Sequence, residues 1–151
     1  HRSQGNEAEA EQMLREAIAV TPTAAPAHHA LGLSLVRQRR IPEALAALAE
    51  AARLESGNPR YAYVYAVALH DTGSAAQALT ALRASLARYP RDRDTLYLLA
   101  TYAIETGRLS DARAYAARLS ALEPDAADVR SLLQRLQVSP SSRPGPGARD
   151  R

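Results

Sequence analysis

The sequence predicts an all-α solenoid built from repeated helix-turn-helix units, and three observations lead to this fold class. A small residue returns at intervals of 34 residues, at Ala10, Ala44, Ala78 and Ala112. Prolines and glycines recur on the same interval. Apolar residues make up 46% of the chain and are dominated by Ala and Leu, a mixture that favours packed helices over sheets. A period of this length is typical of helical repeat proteins.

The first element is interpreted as a half repeat over residues 7–22, with a lone helix over about 7–20 that corresponds to the second helix of a unit. Gly5 and Pro22 fall on the repeat lattice on either side of this helix. Residues 1–6 are expected to be a disordered or added start. Because the first helix of the unit is missing, we expect the natural protein to continue upstream.

The N-terminal edge of the array is unfinished in this interpretation, since the half repeat lacks the helix that would cover it. Its apolar side is expected to be exposed and includes Met13, Leu14 and Ile18. A homodimer formed through this edge is therefore one candidate assembly.

Three complete repeats follow the half repeat. Apolar residues recur at helical spacing on both sides of a short polar turn in each of them. The repeats span 25–58, 59–92 and 93–126, and their helix pairs are expected within 25–55, 59–88 and 93–122.

Glycine, proline and capping residues mark the ends of these helices. Gly73 and Gly107 lie in the turns, where glycine can adopt the left-handed conformation that ends a helix. Arg39 stands at the equivalent position of the first repeat. Prolines just past the second helices stop them, and Asn58 and Asp92 are predicted to cap the first helices that follow.

Two columns of small residues are expected to lie where the paired helices approach closely, because a bulky side chain there would push the helices apart. The columns consist of Gly32, Ala66 and Ala100 on the first helices and of Ala10, Ala44, Ala78 and Ala112 on the second helices.

The C-terminal end combines a capping helix with a tail. Residues 126–137 place charged and amide side chains on one side and Val129, Leu132, Leu133 and Leu136 on the other, which suits a helix that covers the last repeat. Residues 138–151 are too rich in Pro, Gly and Ser to pack, and we expect them to be disordered.

The residues within each repeat also carry a family pattern. The first repeat has Leu31-Gly32 followed by Leu35, Ala44 and Leu48, and the next two have Tyr65-Ala66 and Leu99-Ala100 at the matching positions. This pattern resembles the tetratricopeptide repeat family over about residues 5–137. The resemblance implies a right-handed superhelix of antiparallel helix pairs, with a concave groove lined by the first helices. The position that is often tryptophan in the family holds His28, Ala62 and Leu96.

The groove positions of the family can be carried onto this chain residue by residue. The resemblance places His29, Leu33 and Arg37 in the groove from the first repeat, Tyr63, Val67, His70 and Asp71 from the second, and Tyr97, Thr101, Ile104 and Glu105 from the third. Aromatic residues one repeat apart along such a groove make good anchors for a peptide. Tyrosines at helical spacing also commonly pack between helices, which is the alternative role for each of them.

One known groove type of the family is disfavoured. The clamp that binds acidic chaperone C-termini uses Lys, Arg and Asn, and the matching positions here hold His29, Leu33, Val64, Asp94 and Leu98. A groove of aromatic and aliphatic residues edged by charges suits instead an extended or helical peptide with apolar anchors.

Source and compartment are indicated only indirectly. An Ala-, Arg- and Pro-rich chain without Lys is consistent with a GC-rich bacterial genome. The strip from Tyr61 to Leu69 resembles repeats in bacterial proteins that join such arrays to multihaem c-type cytochrome modules. That resemblance implies a periplasmic location, and without it a cytoplasmic one is expected.

Composition argues against several other classes of function. The absence of Cys excludes a disulfide, a thiolate metal site and a cysteine nucleophile within these residues. The 19 basic residues, all Arg, are interleaved with 16 acidic ones, so we expect a solvated surface rather than a nucleic-acid footprint. No apolar run is long enough to insert into a membrane.

The histidines do not form a catalytic or metal constellation in the sequence. His28 and His29 are adjacent, so their rings point about 100° apart on a helix and lack the spacing of a shared metal site. His70 ends a helix, where the macrodipole favours a cation. No phosphate-binding glycine motif occurs. We therefore expect no catalytic residue, no metal and no cofactor.

The leading hypothesis is a non-enzymatic bacterial scaffold that binds a peptide or partner domain in the concave groove. The alternative is an accessory domain that oligomerises, or that docks a larger redox protein through its ends, without a peptide site. An independent enzyme is the third and least supported hypothesis, because no site constellation is present.

Overall fold

A computed structural model describes the backbone of residues 2–137 and the side chains from Gly5 onward. The predicted tail at 138–151 lies outside the described residues. The described chain is helical throughout and contains no strand. Its helices are α1 (Arg2–Val20), α2 (Ala25–Arg37), α3 (Ile41–Leu54), α4 (Pro59–Asp71), α5 (Ala75–Arg88), α6 (Arg93–Glu105), α7 (Leu109–Leu122) and α8 (Ala127–Gln137).

The helices form two compact units that divide between Arg88 and Tyr89. The first unit contains α1 to α5 and the second contains α6 to α8. Within each unit every helix packs against the next one in the chain, as expected for helix-turn-helix repeats. Helices α2, α4 and α6 are the first helices of the three repeats, and α3, α5 and α7 are the second helices.

The helix pairs begin and end within one residue of the predicted positions, but α1 differs. It begins at Arg2 and includes residues 2–6, which the sequence analysis assigned to a disordered start. Gly5 therefore lies inside a helix and not in a turn. A glycine costs a helix only about 1 kcal/mol relative to alanine, and no proline lies between Arg2 and Val20, so nothing forces the helix to begin at residue 7.

The turn between the paired helices has the same backbone conformation and the same closing hydrogen bond in all three repeats. A residue with positive φ follows the first helix: Arg39 at 62°, Gly73 at 93° and Gly107 at 76°. Glycine adopts this conformation freely, whereas Arg39 costs about 1–2 kcal/mol. The next amide then closes the turn with a hydrogen bond to the helix, from Arg40 to Leu35 at 2.9 Å, from Ser74 to Leu69 at 2.8 Å and from Arg108 to Ala103 at 2.8 Å.

The two predicted N-caps are confirmed. The Asn58 side chain accepts a hydrogen bond from the Arg60 amide at 3.1 Å. The Asp92 carboxylate accepts one from the Thr95 amide at 3.1 Å and another from the Thr95 hydroxyl at 2.6 Å. These bonds satisfy amides that have no partner within the first turn of a helix.

The core lies where the small columns bring paired helices together. Ala44, Ala78 and Ala112 are fully buried, and so are Ala66 and Ala100. Gly32 is the tightest point of the first column, since a Cβ atom built there would lie 2.6 Å from both Cγ and Cδ2 of the buried Leu48. An alanine at this position would therefore force Leu48 or the helix backbone to move.

The N-terminal edge exposes different residues from those predicted. Leu14 and Ile18 are partly buried and pack against a core that includes Leu31 and Leu35 of α2, which corrects their assignment to the free edge. Residues three or four apart share a helix face, so these two follow the side that packs on α2. Met13 alone of the three predicted residues is mostly exposed, at 68%.

The C-terminal edge is finished by α8. Val129, Leu132 and Leu136 are buried, while Gln134 is exposed. Gln134 lies one repeat after Ala100. In the complete repeats this position holds a small residue, against which the second helix packs closely. A polar side chain at this position suits a solvated surface rather than another packed helix.

Candidate protein-interaction surface

The predicted groove residues lie on the first helices of the repeats, and none of them is fully buried. We call this set the first-helix surface. It consists of His29, Leu33 and Arg37 on α2, Tyr63, Val67, His70 and Asp71 on α4, and Tyr97, Thr101, Ile104 and Glu105 on α6. Arg37, Asp71 and Glu105 are exposed and the others are half-buried. The α2 and α4 residues belong to the first unit and the α6 residues to the second.

His29 joins α2 to α4. Its ring lies 4.7 Å from the ring of Tyr61, between centroids, at a tilt of 36°. Burial lowers the pKa of His29, and the nearby Arg60 guanidinium lowers it further by repulsion. The Nδ1 atom is buried and has no hydrogen-bond partner among the described residues. His29 therefore packs against Tyr61 between α2 and α4, and its lowered pKa favours the neutral imidazole.

The two surface tyrosines each lie beneath an arginine. The Arg60 guanidinium lies 5.8 Å from the centroid of the Tyr63 ring, and that of Arg93 lies 5.6 Å from the centroid of Tyr97. Both distances fall within the range of a cation–π contact. Because Tyr63 and Tyr97 are one repeat apart, each unit presents the same pair of side chains.

The two arginines differ in their other contacts. Arg93 donates to Glu123 at 2.8 Å and to Asp128 at 2.6 Å, and these carboxylates, Asp128 first, raise its pKa. Arg60 forms no ion pair with any described residue. Sequence reasoning missed both arginines, although their spacing of three or four residues from a tyrosine on one helix was a visible signal.

Arg37 is held by α1 and is not a free cation of the surface. Its guanidinium donates to Glu7, at 3.3 Å from Nη2 to Oε1, and the buried Ser34 hydroxyl donates to the same oxygen at 2.8 Å. These bonds, that of Arg37 first, lower the pKa of Glu7. This ion pair links α1 to α2.

Thr101 and His70 each contact a polar group of their own helix. The Thr101 hydroxyl donates to the Tyr97 carbonyl at 2.9 Å. His70 Nδ1 lies 3.4 Å from a carboxylate oxygen of Asp71, at the end of α4. Leu33, Val67 and Ile104 supply the half-buried aliphatic part of the surface.

Two clefts between consecutive second helices were not predicted. One of about 550 Å³ lies between α1 and α3 over Leu31 and Leu35 of α2. The other, of about 290 Å³, lies between α3 and α5 over Ala62 and Tyr65 of α4. The periodic pattern could not reveal them, because the alanines that line them resemble ordinary packing positions.

Between Arg2 and Gln137, no three His, Asp or Glu residues lie close enough together to hold a metal ion. The same stretch has no helix that is both long and apolar enough to cross a membrane.

Two family models described as tetratricopeptide repeat match the chain, over residues 29–93 and 69–136. The chain belongs to the tetratricopeptide repeat family. Together the matches span the three repeats and α8 up to Leu136, so the helical solenoid predicted from the sequence is the family's fold. No protein of curated function matches this tetratricopeptide repeat chain.

Solved structures share this fold at low sequence identity. A structure of MamA has a TM-score of 0.77 and 15% identity, over 94% of this chain and 83% of MamA. A tetratricopeptide repeat protein from Parabacteroides merdae has a TM-score of 0.79 and 20% identity, over 89% of this chain and 54% of its own. YrrB, described as a protein with an unusual peptide-binding site, has a TM-score of 0.73 and 19% identity, over 94% and 73%. Likeness at these identities establishes the fold alone.

Proposed function

We propose that this tetratricopeptide repeat chain is a non-enzymatic interaction module that binds a peptide or partner domain on its first-helix surface. The observation that carries the proposal is the repeated pair of a half-exposed tyrosine and an arginine over its ring, Tyr63 with Arg60 and Tyr97 with Arg93. A ring held in place before binding loses less conformational entropy when a partner arrives. Tyrosine and arginine are also the residues that most often dominate binding energy at interfaces.

The chemistry around the tyrosines favours a partner with apolar anchors and some acidic character. Leu33, Val67 and Ile104 offer aliphatic contacts beside the rings. Arg60 forms no ion pair with a described residue, so its N–H groups remain available for a carboxylate or carbonyl of the partner. The peptide-binding site named for YrrB supports a peptide as the partner, since that protein shares the fold.

The proposal is tested with peptides selected from a random library on the folded protein. We expect their affinity to fall about tenfold or more in Tyr63→Ala combined with Tyr97→Ala. Tyr115→Ala is the matched control, because Tyr115 is also half-buried but lies on the second helix α7. Peptides that keep their affinity in the double variant, or lose it equally in the control, contradict the proposal.

A second candidate function is supported by the outer face of α1. Met13 is 68% exposed and Val20 is 83% exposed. Ala17 is also exposed, whereas Ala51 and Leu119, which are one and three repeats later, are fully buried. In the complete repeats this face lies against a first helix, so α1 presents an apolar stripe that suits docking. The stripe supports an accessory role in a larger assembly. A multihaem cytochrome-type protein is one such assembly, and only the resemblance of the strip from Tyr61 to Leu69 supports it.

Sedimentation equilibrium tests this second candidate. A dimer that dissociates in Met13→Glu combined with Ala17→Glu, and that survives Thr80→Glu on the exposed side of α5, is the expected result. A protein that is monomeric at every concentration would contradict self-association through α1.

A further inference from the structure

The cleft between α3 and α5 combines an apolar body with a cationic end. Its walls include Ala49 and Ala52 from α3 and Ala81, Ala84 and Ser85 from α5, and Tyr65 of α4 lies at its floor. A volume of about 290 Å³ corresponds to roughly ten water molecules. This space is large enough for a few side chains of a partner.

Two arginines stand at one end of this cleft. Arg53 lies in the last turn of α3 and Arg88 is the last residue of α5. Both helices pack antiparallel to α4, so their C-terminal ends lie at the same end of the cleft. The macrodipole of each helix favours a cation there, and no acidic side chain lines the α3–α5 cleft among the described residues.

The two arginines differ in whether they form an ion pair. Arg53 is bound by Glu50 of the same helix, at 2.9 Å from Nε to Oε1. Arg88 is exposed and forms no ion pair with a described residue. A guanidinium beside an apolar cleft, without a carboxylate of its own, is complementary to a carboxylate that arrives with an aliphatic group.

The cleft one repeat earlier has the same construction and a different charge. It lies between α1 and α3, and Glu43, Glu50 and Arg15 lie along it. Glu43 is bound there by Arg40 at 2.9 Å and by Arg15 at 3.4 Å. The chain therefore holds two clefts of one architecture, of which only the α3–α5 cleft has purely cationic charged residues among those described.

We propose that the α3–α5 cleft is a second binding site, which takes an acidic-aliphatic segment of a polypeptide partner. An aliphatic side chain of the segment fills the alanine-walled body, and a neighbouring carboxylate accepts hydrogen bonds from Arg88, assisted by the charge of Arg53. The inference rests on the proposed function only in that the partner is a polypeptide. It requires no contact with the first-helix surface.

The test uses a defined peptide and alanine methyl NMR on the full chain. The probe is an N-acetylated, C-amidated peptide of sequence Gly-Ser-Glu-Leu-Leu-Glu-Ser-Gly, and its controls replace both Glu by Gln or both Leu by Ala. We expect the acidic peptide to shift the methyl resonances of Ala49, Ala81 and Ala84. Those of Ala46 and Ala47, which line the α1–α3 cleft, should stay in place.

Variants at the cleft test separately how its charge and its shape contribute to binding. Arg88→Gln should weaken binding about five- to tenfold, while Arg83→Gln, an exposed arginine of α5 outside the cleft lining, should leave it unchanged. Ala84→Leu should abolish binding by filling the cleft from an exposed wall position. Equal binding of the Glu and Gln peptides, equal effects of the two arginine variants, or shifts at Ala46 and Ala47 would overturn the inference.

The two proposals fail separately. If Tyr63→Ala with Tyr97→Ala removes binding of the probe while Arg88→Gln does not, the second site is wrong and the first-helix surface stands. If the probe binds as described and library-selected peptides ignore the tyrosine variants, the second site stands and the first-helix surface is wrong.

Discussion

Replacing Gly32 by alanine should destabilise the first repeat, although alanine is the better helix former. Gly32 lies inside α2, where alanine would contribute up to about 1 kcal/mol through helix propensity alone. The added Cβ, however, would lie 2.6 Å from Cγ and Cδ2 of Leu48 and 3.2 Å from the Leu48 amide nitrogen. Carbon atoms attract best at about 3.5–4.0 Å, so Leu48 or the helix must move.

The magnitude follows from these opposing effects. Overpacking of a core costs about 1–3 kcal/mol, and Leu48 is fully buried. Subtracting the propensity gain leaves an expected loss of about 1 kcal/mol. The second repeat pairs Ala66 with Leu82 at the same positions, so the sequence alone would suggest that alanine is tolerated.

A double-mutant cycle in urea, followed by circular dichroism at 222 nm, measures this contact. Leu48→Ala should cost about 2–5 kcal/mol, and Gly32→Ala should be neutral or stabilising in that background, because the clash with the Leu48 side chain is gone and the gain in helix propensity remains. Gly5→Ala is the control, since a Cβ at Gly5 meets nothing within 4 Å. It should stabilise α1 by up to about 1 kcal/mol. A stabilised Gly32→Ala, with effects that add within about 0.5 kcal/mol, would refute the close approach of α2 and α3.

Three further predictions concern turns, ion pairs and caps. Arg39→Gly should raise the free energy of unfolding by about 1 kcal/mol by relieving the positive φ, and Arg39→Ala should not; equal denaturation midpoints would contradict this. The pKa of Glu7 is lowered by Arg37 from its ordinary 4.5, so its stabilising effect is complete above that pH and is lost as the pH falls through the lowered pKa. Acid titration of stability should therefore show a smaller loss in Glu7→Gln than in the parent, and identical pH profiles would sink the idea. Asp92→Ala should cost about 1 kcal/mol in thermal unfolding through loss of the N-cap of α6, whereas an unchanged midpoint would show that the cap contributes nothing.

The period of the sequence predicted most of the fold because each repeated position has one physical role. Gly73 and Gly107 ended helices, Asn58 and Asp92 began them, and the alanines of the complete repeats' columns were buried, whereas Ala10 of the half repeat is only half-buried. The helix bounds followed from these local roles without any long-range information.

The sequence was less informative at the N-terminal end, where only half a repeat is present. Gly5 occupies a turn position of the lattice but has no preceding helix among the described residues to terminate, and it lies within α1. Leu14 and Ile18 were assigned to the free edge because the half repeat lacks a first helix. In the structure they pack on α2, which is the first helix of the next repeat.

The candidate surface was likewise predictable from the sequence only in part. Its residues could be placed on the first helices from periodicity alone. The sequence did not reveal that Glu7 binds Arg37 or that His29 packs on Tyr61. Such contacts depend on side-chain direction between helices, which a repeat period does not encode.

The central claim is that a partner binds on the first-helix surface, and methyl NMR of the protein with a library-selected peptide tests it most directly. We expect the methyl resonances of Leu33, Val67 and Ile104 to shift as the peptide is added. Shifts confined to methyl groups of the second helices α3, α5 and α7, with those three unmoved, would contradict it.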